Sequence, residues 1–158
     1  MYYLIDGHNL IPKLPGFSLS DIDDEQKLVD WLQIYSRENR CRVEVFFDRA
    51  PAGFSGSRKF GTVTAHFIRM GGTADDAIQS RLMHAGKSAR NFTVISSDRQ
   101  VQVAAHSVHA STISSEEFSK ELVEKITSGA RHAPGEQKMT EKDLAYWESL
   151  FQGNTKRS

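Results

Sequence analysis

Apolar and polar positions fall in blocks along the chain, and the period of the pattern changes from block to block. Tyr2 to Ile5 is a short apolar run, long enough for a strand but not for a helix. Ser20, Asp23 and Asp24 then open a helix whose apolar face is Leu28, Trp31, Leu32 and Tyr35, the i, i+3, i+4, i+7 stripe of one helical side. Val43 to Phe47 is almost wholly apolar, which predicts a central strand covered on both faces. Thr62 to Ile68 alternates more and belongs nearer an edge. Thr73 caps a helix running to about Lys87, Phe92 to Ser96 reads as a strand, and a short helix covers Val101 to Ala105. Val108 to Ser111 predicts a last short strand. Ser114 with Glu117 forms a capping box for a helix bearing Phe118, Leu122 and Ile126. Strands alternating with helices predict a parallel sheet with helices on both faces.

The breaks between blocks complete this plan. Ala50 to Ser57 is rich in Pro, Gly and Ser and reads as a loop that leads into Arg58 and Lys59. Gly71-Gly72 marks a turn. Gly129 to Lys138 is a polar break containing Pro134 and Gly135. Beyond it Thr140 and Asp143 cap a final amphipathic helix with Leu144, Trp147, Leu150 and Phe151 on one side. The division predicted is a domain over residues 1–128 and a C-terminal extension over 129–158.

The candidate chemistry lies where the apolar blocks stop. Each of three strands runs directly into, or just short of, an aspartate: Asp6 after Ile5, Asp48 after Phe47 and Asp98 after Ser97. Parallel sheets build their sites at the carboxyl ends of their strands. Asp75 and Asp76 join them from the first turn of the helix after Thr73. Taken singly, each acid also reads as a turn or a helix cap. Asp76, three residues past Thr73, is assigned to a capping box first. Together, acids at one edge form a hard-oxygen donor set suited to a divalent metal such as Mg²⁺. Asp6, Asp48, Asp98 and the pair Asp75-Asp76 could supply its shell. Asn9, Ser97 and Asp76 stand behind them as supporting groups. Of the six histidines only His8 lies inside a motif, and it reads as a neutral surface residue.

Composition narrows the class. With 158 residues, 39% hydrophobic and 25% charged, the chain suits one globular domain. It has no apolar run of membrane-spanning length and no signal-peptide layout, so a cytoplasmic location without membrane contact is expected. The single cysteine, Cys41, forms no internal disulfide and reads as a buried thiol. Net charge is zero, yet residues 37–69 carry seven Lys or Arg against three acids. Arg49, Arg58 and Lys59 in that stretch are candidates for guiding a phosphate backbone. Neither a Walker A nor a GxGxxG pattern is present, and Ser96-Ser97 lacks a nucleophile elbow.

Four motifs in order, Tyr-Leu-Ile-Asp6-Gly-His-Asn9-Leu-Ile, Val-Phe-Phe-Asp48, Gly72-Thr73-Ala74-Asp75-Asp76-Ala-Ile78 and Ser96-Ser97-Asp98-Arg99-Gln100, resemble the YacP-like branch of the NYN domains. Those belong to the PIN-like nuclease superfamily. The resemblance runs from residue 2 to about residue 128. It implies a three-layer α/β/α fold with a central, mostly parallel sheet, and Asp6, Asn9, Asp48, Asp75 and Asp98 as site residues around Mg²⁺ or Mn²⁺. It further implies a metal-dependent endoribonuclease with RNA, and in one branch the ribosome, as partner. A catalytically silent RNA- or ribosome-binding module is the alternative. The protein is expected as a monomer or weak dimer.

Overall fold

Leu4 and Ile5 offer water no polar side chain, and β1 (Tyr2–Asp6) accordingly lies deep in a six-stranded sheet. The computed structural model describes residues 1–17, 22–50, 53 and 55–132. β1 pairs in parallel with β2 (Arg42–Ala50) on one side and β5 (Phe92–Ile95) on the other. β4 (Val63–Arg69) extends the sheet beyond β2, and β6 (Ser111–Ile113) extends it beyond β5, both in parallel. β3 (Gly56–Phe60) closes the β4 edge as an antiparallel strand, giving the order β3-β4-β2-β1-β5-β6.

Because successive strand residues face opposite sides, β1 feeds two cores. Ile5 joins Val45, Phe47, Leu28, Leu32, Phe118 and Leu122 under α2 (Ile22–Asn39) and α5 (Ser115–His132). Leu4 joins Phe46, Val94, Ile78, Leu82 and Val101 under α3 (Ala74–Ala85) and α4 (Arg99–Ser107). Each fully buried side chain of this size contributes about 1.5–3 kcal/mol by leaving water. The result is the expected three-layer α/β/α arrangement. The chain leaves β1 toward β2 by α2, and leaves β5 toward β6 by α4 on the other face. The direction of winding thus reverses at β1 and β5, where such sheets open a crevice at their carboxyl ends.

Several elements differ from the sequence reading. β3 was expected to be loop as far as Ser57. Its Ser57, Arg58 and Lys59 are exposed, so no apolar alternation betrays a strand at this sheet edge. β2 runs past Phe47 to Ala50 through an irregularity in its pairing with β4, with Arg49 at φ 61°. The last strand lies at Ser111–Ile113 rather than 108–111. Val108 instead ends α4, its N–H bonded to Ala105 O and His106 O, and His109 turns the chain at φ 65°. α3 stops at Ala85, before Lys87, because Gly86 adopts φ 57°. α5 continues through Gly129, where a polar break was expected. The Ser20 cap and the helix expected after Thr140 lie outside the described residues.

A buried ion pair fixes α3 over the sheet. Arg81 Nε donates to both carboxylate oxygens of Glu44, at 3.0 and 3.1 Å, and His66 Nε2 lies 2.8 Å from Oε1. Burial alone would raise the Glu44 pKa, but the His66 and Arg81 contacts outweigh it and hold the carboxyl below its ordinary value. The Arg81 guanidinium also stacks over the Tyr2 and Phe92 rings, 5.6 and 5.1 Å from their centroids.

Candidate active site

Asp6 ends β1 and caps the short helix α1 (Gly7–Leu10), its Oδ1 accepting from Asn9 N at 3.3 Å. Gly7 allows this sharp exit. A Cβ there would collide with the Phe47 ring and come within 3.1 Å of Phe46 O. Asp98 caps α4, with Oδ1 accepting from Gln100 N at 2.8 Å and Val101 N at 3.3 Å. Asp75 lies in the first turn of α3, whose cap Thr73 accepts from Asp76 N at 3.1 Å. Asp48 stands at the β2 irregularity, half-buried.

The electrostatics show that these acids converge. Asp6 is only 7% exposed. Burial first, then the Asp75 carboxylate and the more weakly felt Asp48, push its pKa up to about 7, against the opposing pull of the Asn9 N–H. Asp75 is itself raised, by burial and then by Asp98. Four aspartates from four separate elements therefore share one field. Asp76 is exposed, its backbone N–H bonded to the Thr73 cap.

The supporting groups act through the backbone. Asn9 Oδ1 accepts from Ser97 N at 2.9 Å and from Ser115 Oγ at 2.5 Å, so its amide ties β5's end to α5. It is the Asn9 backbone N–H, not the side chain, that reaches Asp6. Ser97 Oγ accepts from Ser115 N at 3.0 Å and donates to Glu116, 2.9 Å away. Glu116 in turn pairs with Lys13 at 3.2 Å, and these contacts keep its carboxyl below its ordinary value.

His8 was read as a neutral surface residue, and the structure corrects that. Its Nδ1 lies 2.7 Å from Asp48 Oδ1 and its Nε2 lies 2.5 Å from Glu25 Oε2 on α2. Burial of the ring would lower its pKa, but the hydrogen bonds to Glu25 and Asp48 prevail and raise it. Two carboxylate acceptors call for two N–H donors, which an imidazolium supplies. Neither Glu25 nor Ser115 carried a sequence signal, because each meets its partner only across the folded sheet.

The basic candidates do not form one group. Arg49 is exposed beside Asp48. Arg58 pairs with Ala65 and sits over the Phe67 ring at 5.6 Å, whereas Lys59 takes the opposite face of β3. A cavity of about 320 Å³ lies between α2 and α5, lined by Tyr35, Asn39, Glu121 and Lys125 among others, and contains none of the aspartates.

A family model described as a YacP-like NYN domain matches residues 3–152. The chain belongs to the YacP-like NYN family. This NYN domain sits within the PIN-like nuclease superfamily. The match continues well past residue 128, where the motif resemblance was expected to stop. Among solved structures, Rae1 (YacP) from Bacillus subtilis superposes with a TM-score of 0.72 at 23% identity, covering 99% of this chain and 91% of that one. A tryptophan-to-leucine variant of the same Bacillus subtilis protein gives 0.62, also at 23% identity, covering 96% and 98%. These likenesses bear on the fold. No curated protein matches this chain in sequence.

The donor chemistry of the edge fits a divalent cation. Its oxygens are the hard ligands Mg²⁺ and Mn²⁺ take, and burial together with the neighbouring Asp75 and Asp48 carboxylates raises Asp6. As they are arranged, however, no group of three or more His, Cys, Asp or Glu among the described residues is placed so that it could hold a metal ion. Among those residues no helix is long and apolar enough to cross a membrane.

Proposed function

We propose that this NYN domain is a metal-dependent endoribonuclease that hydrolyses RNA phosphodiester bonds at the carboxylate edge. The observation that carries the reading is the raised Asp6, buried among Asp75 and Asp48 at the reversal point of the sheet. Asp6, Asp75 and Asp98 would hold Mg²⁺ or Mn²⁺, with Asp48 completing the set. Such a cation supplies a water of lowered pKa and offsets charge on the phosphate in the transition state.

The chain's own residues do the rest. Asp98 commits one oxygen to the α4 cap and keeps the other for the edge. Asn9 accepts the Ser97 peptide N–H, and Ser115 in turn bonds the Asn9 amide and the Ser97 hydroxyl, which holds the segment leading into α4. Without a cation Asp6 is only partly ionised near neutral pH, which limits repulsion with its neighbours. Arg49, exposed at the β2 irregularity, is the basic side chain best placed to meet the RNA backbone. Arg58 and Lys59 would follow the strand outward from there.

The test is cleavage of structured and unstructured RNA with Mn²⁺, with Mg²⁺ and with EDTA, repeated with Asp6→Asn. Loss of cleavage in EDTA and in the variant is expected, with the variant down by at least about 100-fold. Cleavage unaffected by either would overturn the reading. Retention of RNA or co-sedimentation with ribosomes, without cleavage under any condition, would identify a non-catalytic binding module instead.

A further inference from the structure

We propose that His8 is a positioning residue that holds Asp48 in the carboxylate edge by anchoring it to Glu25 of α2. The inference rests on the cleavage-site reading above.

Asp48 needs such a hold more than its neighbours do. Asp6 and Asp98 each cap a helix and accept backbone N–H groups, and Asp75 rides on the first turn of α3. Asp48 lies where the β2–β4 register shifts between Phe47 and Ala50, next to a left-handed Arg49, so the regular ladder does not fix it. The side chain that reaches it is His8, at 2.7 Å from Oδ1.

The ring is itself fixed. Its second nitrogen is taken by Glu25 at 2.5 Å, on a helix 17 residues further along the chain. Phe47 packs against it, with ring centroids 5.5 Å apart. A planar ring bonded at both nitrogens cannot turn without losing a partner, so the Glu25 contact on α2 sets the direction in which His8 presents Nδ1 to Asp48. Outer partners of this kind typically change metal affinity or activity by about 10–100-fold when removed.

Three variants separate the two arms. His8→Phe removes both donors, His8→Asn keeps an amide near the Nδ1 position, and His8→Gln keeps one near Nε2. Mn²⁺ affinity is measured by calorimetry without RNA, and kcat and KM are measured with Mn²⁺ present. His8→Phe is expected to weaken Mn²⁺ binding and lower kcat by about 10-fold or more, with KM for RNA unchanged. His8→Asn, which keeps the Asp48 contact but loses the Glu25 anchor, should recover only part of both losses, and His8→Gln should recover little. Wild-type Mn²⁺ affinity and kcat in His8→Phe, or a rise in KM alone, would overturn the proposal. So would equal behaviour of the Asn and Gln variants, a comparison that decides the matter even if His8→Phe fails to fold. Asp6→Asn run alongside separates the two readings. If it abolishes Mn²⁺ binding while His8→Phe changes nothing, only the His8 role fails. If the wild-type protein neither binds Mn²⁺ nor cleaves, both fail.

Discussion

Asp6 shows how much one side chain can reveal. Its carboxyl rises from an ordinary 3.8 to about 7, through burial and then Asp75. The folded state therefore binds this proton more tightly than the unfolded chain does, and the sign follows. Below about pH 4 the group contributes no difference. Between about 4 and 7 the unfolded chain releases the proton first, so stability falls as pH rises, by at most about 4 kcal/mol. Metal-free protein should therefore melt at a lower temperature at pH 8 than at pH 5.5, and Asp6→Asn should flatten that decline. A cation bound to the deprotonated edge reverses the trend, so saturating Mn²⁺ should raise the melting temperature more at pH 8 than at pH 5.5. Thermal melts of both proteins, with and without Mn²⁺, check this. An Asp6→Asn variant that declines with pH as steeply as wild type would contradict it. The aspartates themselves were legible in the sequence because each follows an apolar run or opens a helix. His8 was not, since its meaning depends on Glu25 and Asp48, neither of which is near it along the chain.

At the level of elements, the edge depends on how α5 docks. Asn9 accepts from the Ser97 backbone and from Ser115 at the start of α5, so one amide joins three segments. Asn9→Ala would leave the Ser97 N–H and the buried Ser115 hydroxyl without that acceptor, at a cost of about 1–3 kcal/mol. For a chain of 158 residues this lowers the melting temperature by roughly 2–4 °C per kcal/mol. Cleavage should fall with it at temperatures where the protein stays folded, because the Ser97 peptide leads into the Asp98 cap. Differential scanning calorimetry and cleavage assays on the same preparation test both parts. Full activity with a lowered melting temperature would mean that the tie serves stability alone. The strands and helices with apolar faces were readable from the chain. β3 was not, because a polar strand at a sheet edge takes its conformation from pairing with β4 rather than from its own pattern. The shift of the last strand has a similar cause: Val108 looked like strand residue but serves to end α4.

For the whole molecule, the balance of charge sets how RNA would be held. Net charge is zero, so attraction must come from local groups and not from the overall field. Separation of Arg58 and Lys59 onto opposite faces of β3 leaves the exposed Arg49, next to Asp48 in β2, as the candidate of the three nearest the acids along the chain. Each phosphate contact to a single strand contributes about 0.7 to the slope of log affinity against log salt. Arg49→Ala should reduce that slope by about this amount, measured in the Asp6→Asn background, where turnover is prevented. An unchanged slope would place the RNA elsewhere on the surface.

The tie between Asn9 and Ser115 has a consequence for synthesis as well. The acids come from positions 6, 48, 75 and 98, and the segment bearing the last is secured only once Ser115 has arrived. Domains emerge from the ribosome amino end first. A growing polypeptide that has reached only β4 owns half of its acidic groups and lacks the latch. The enzyme proposed here would thus stay harmless to the message encoding it until synthesis had passed Ser115.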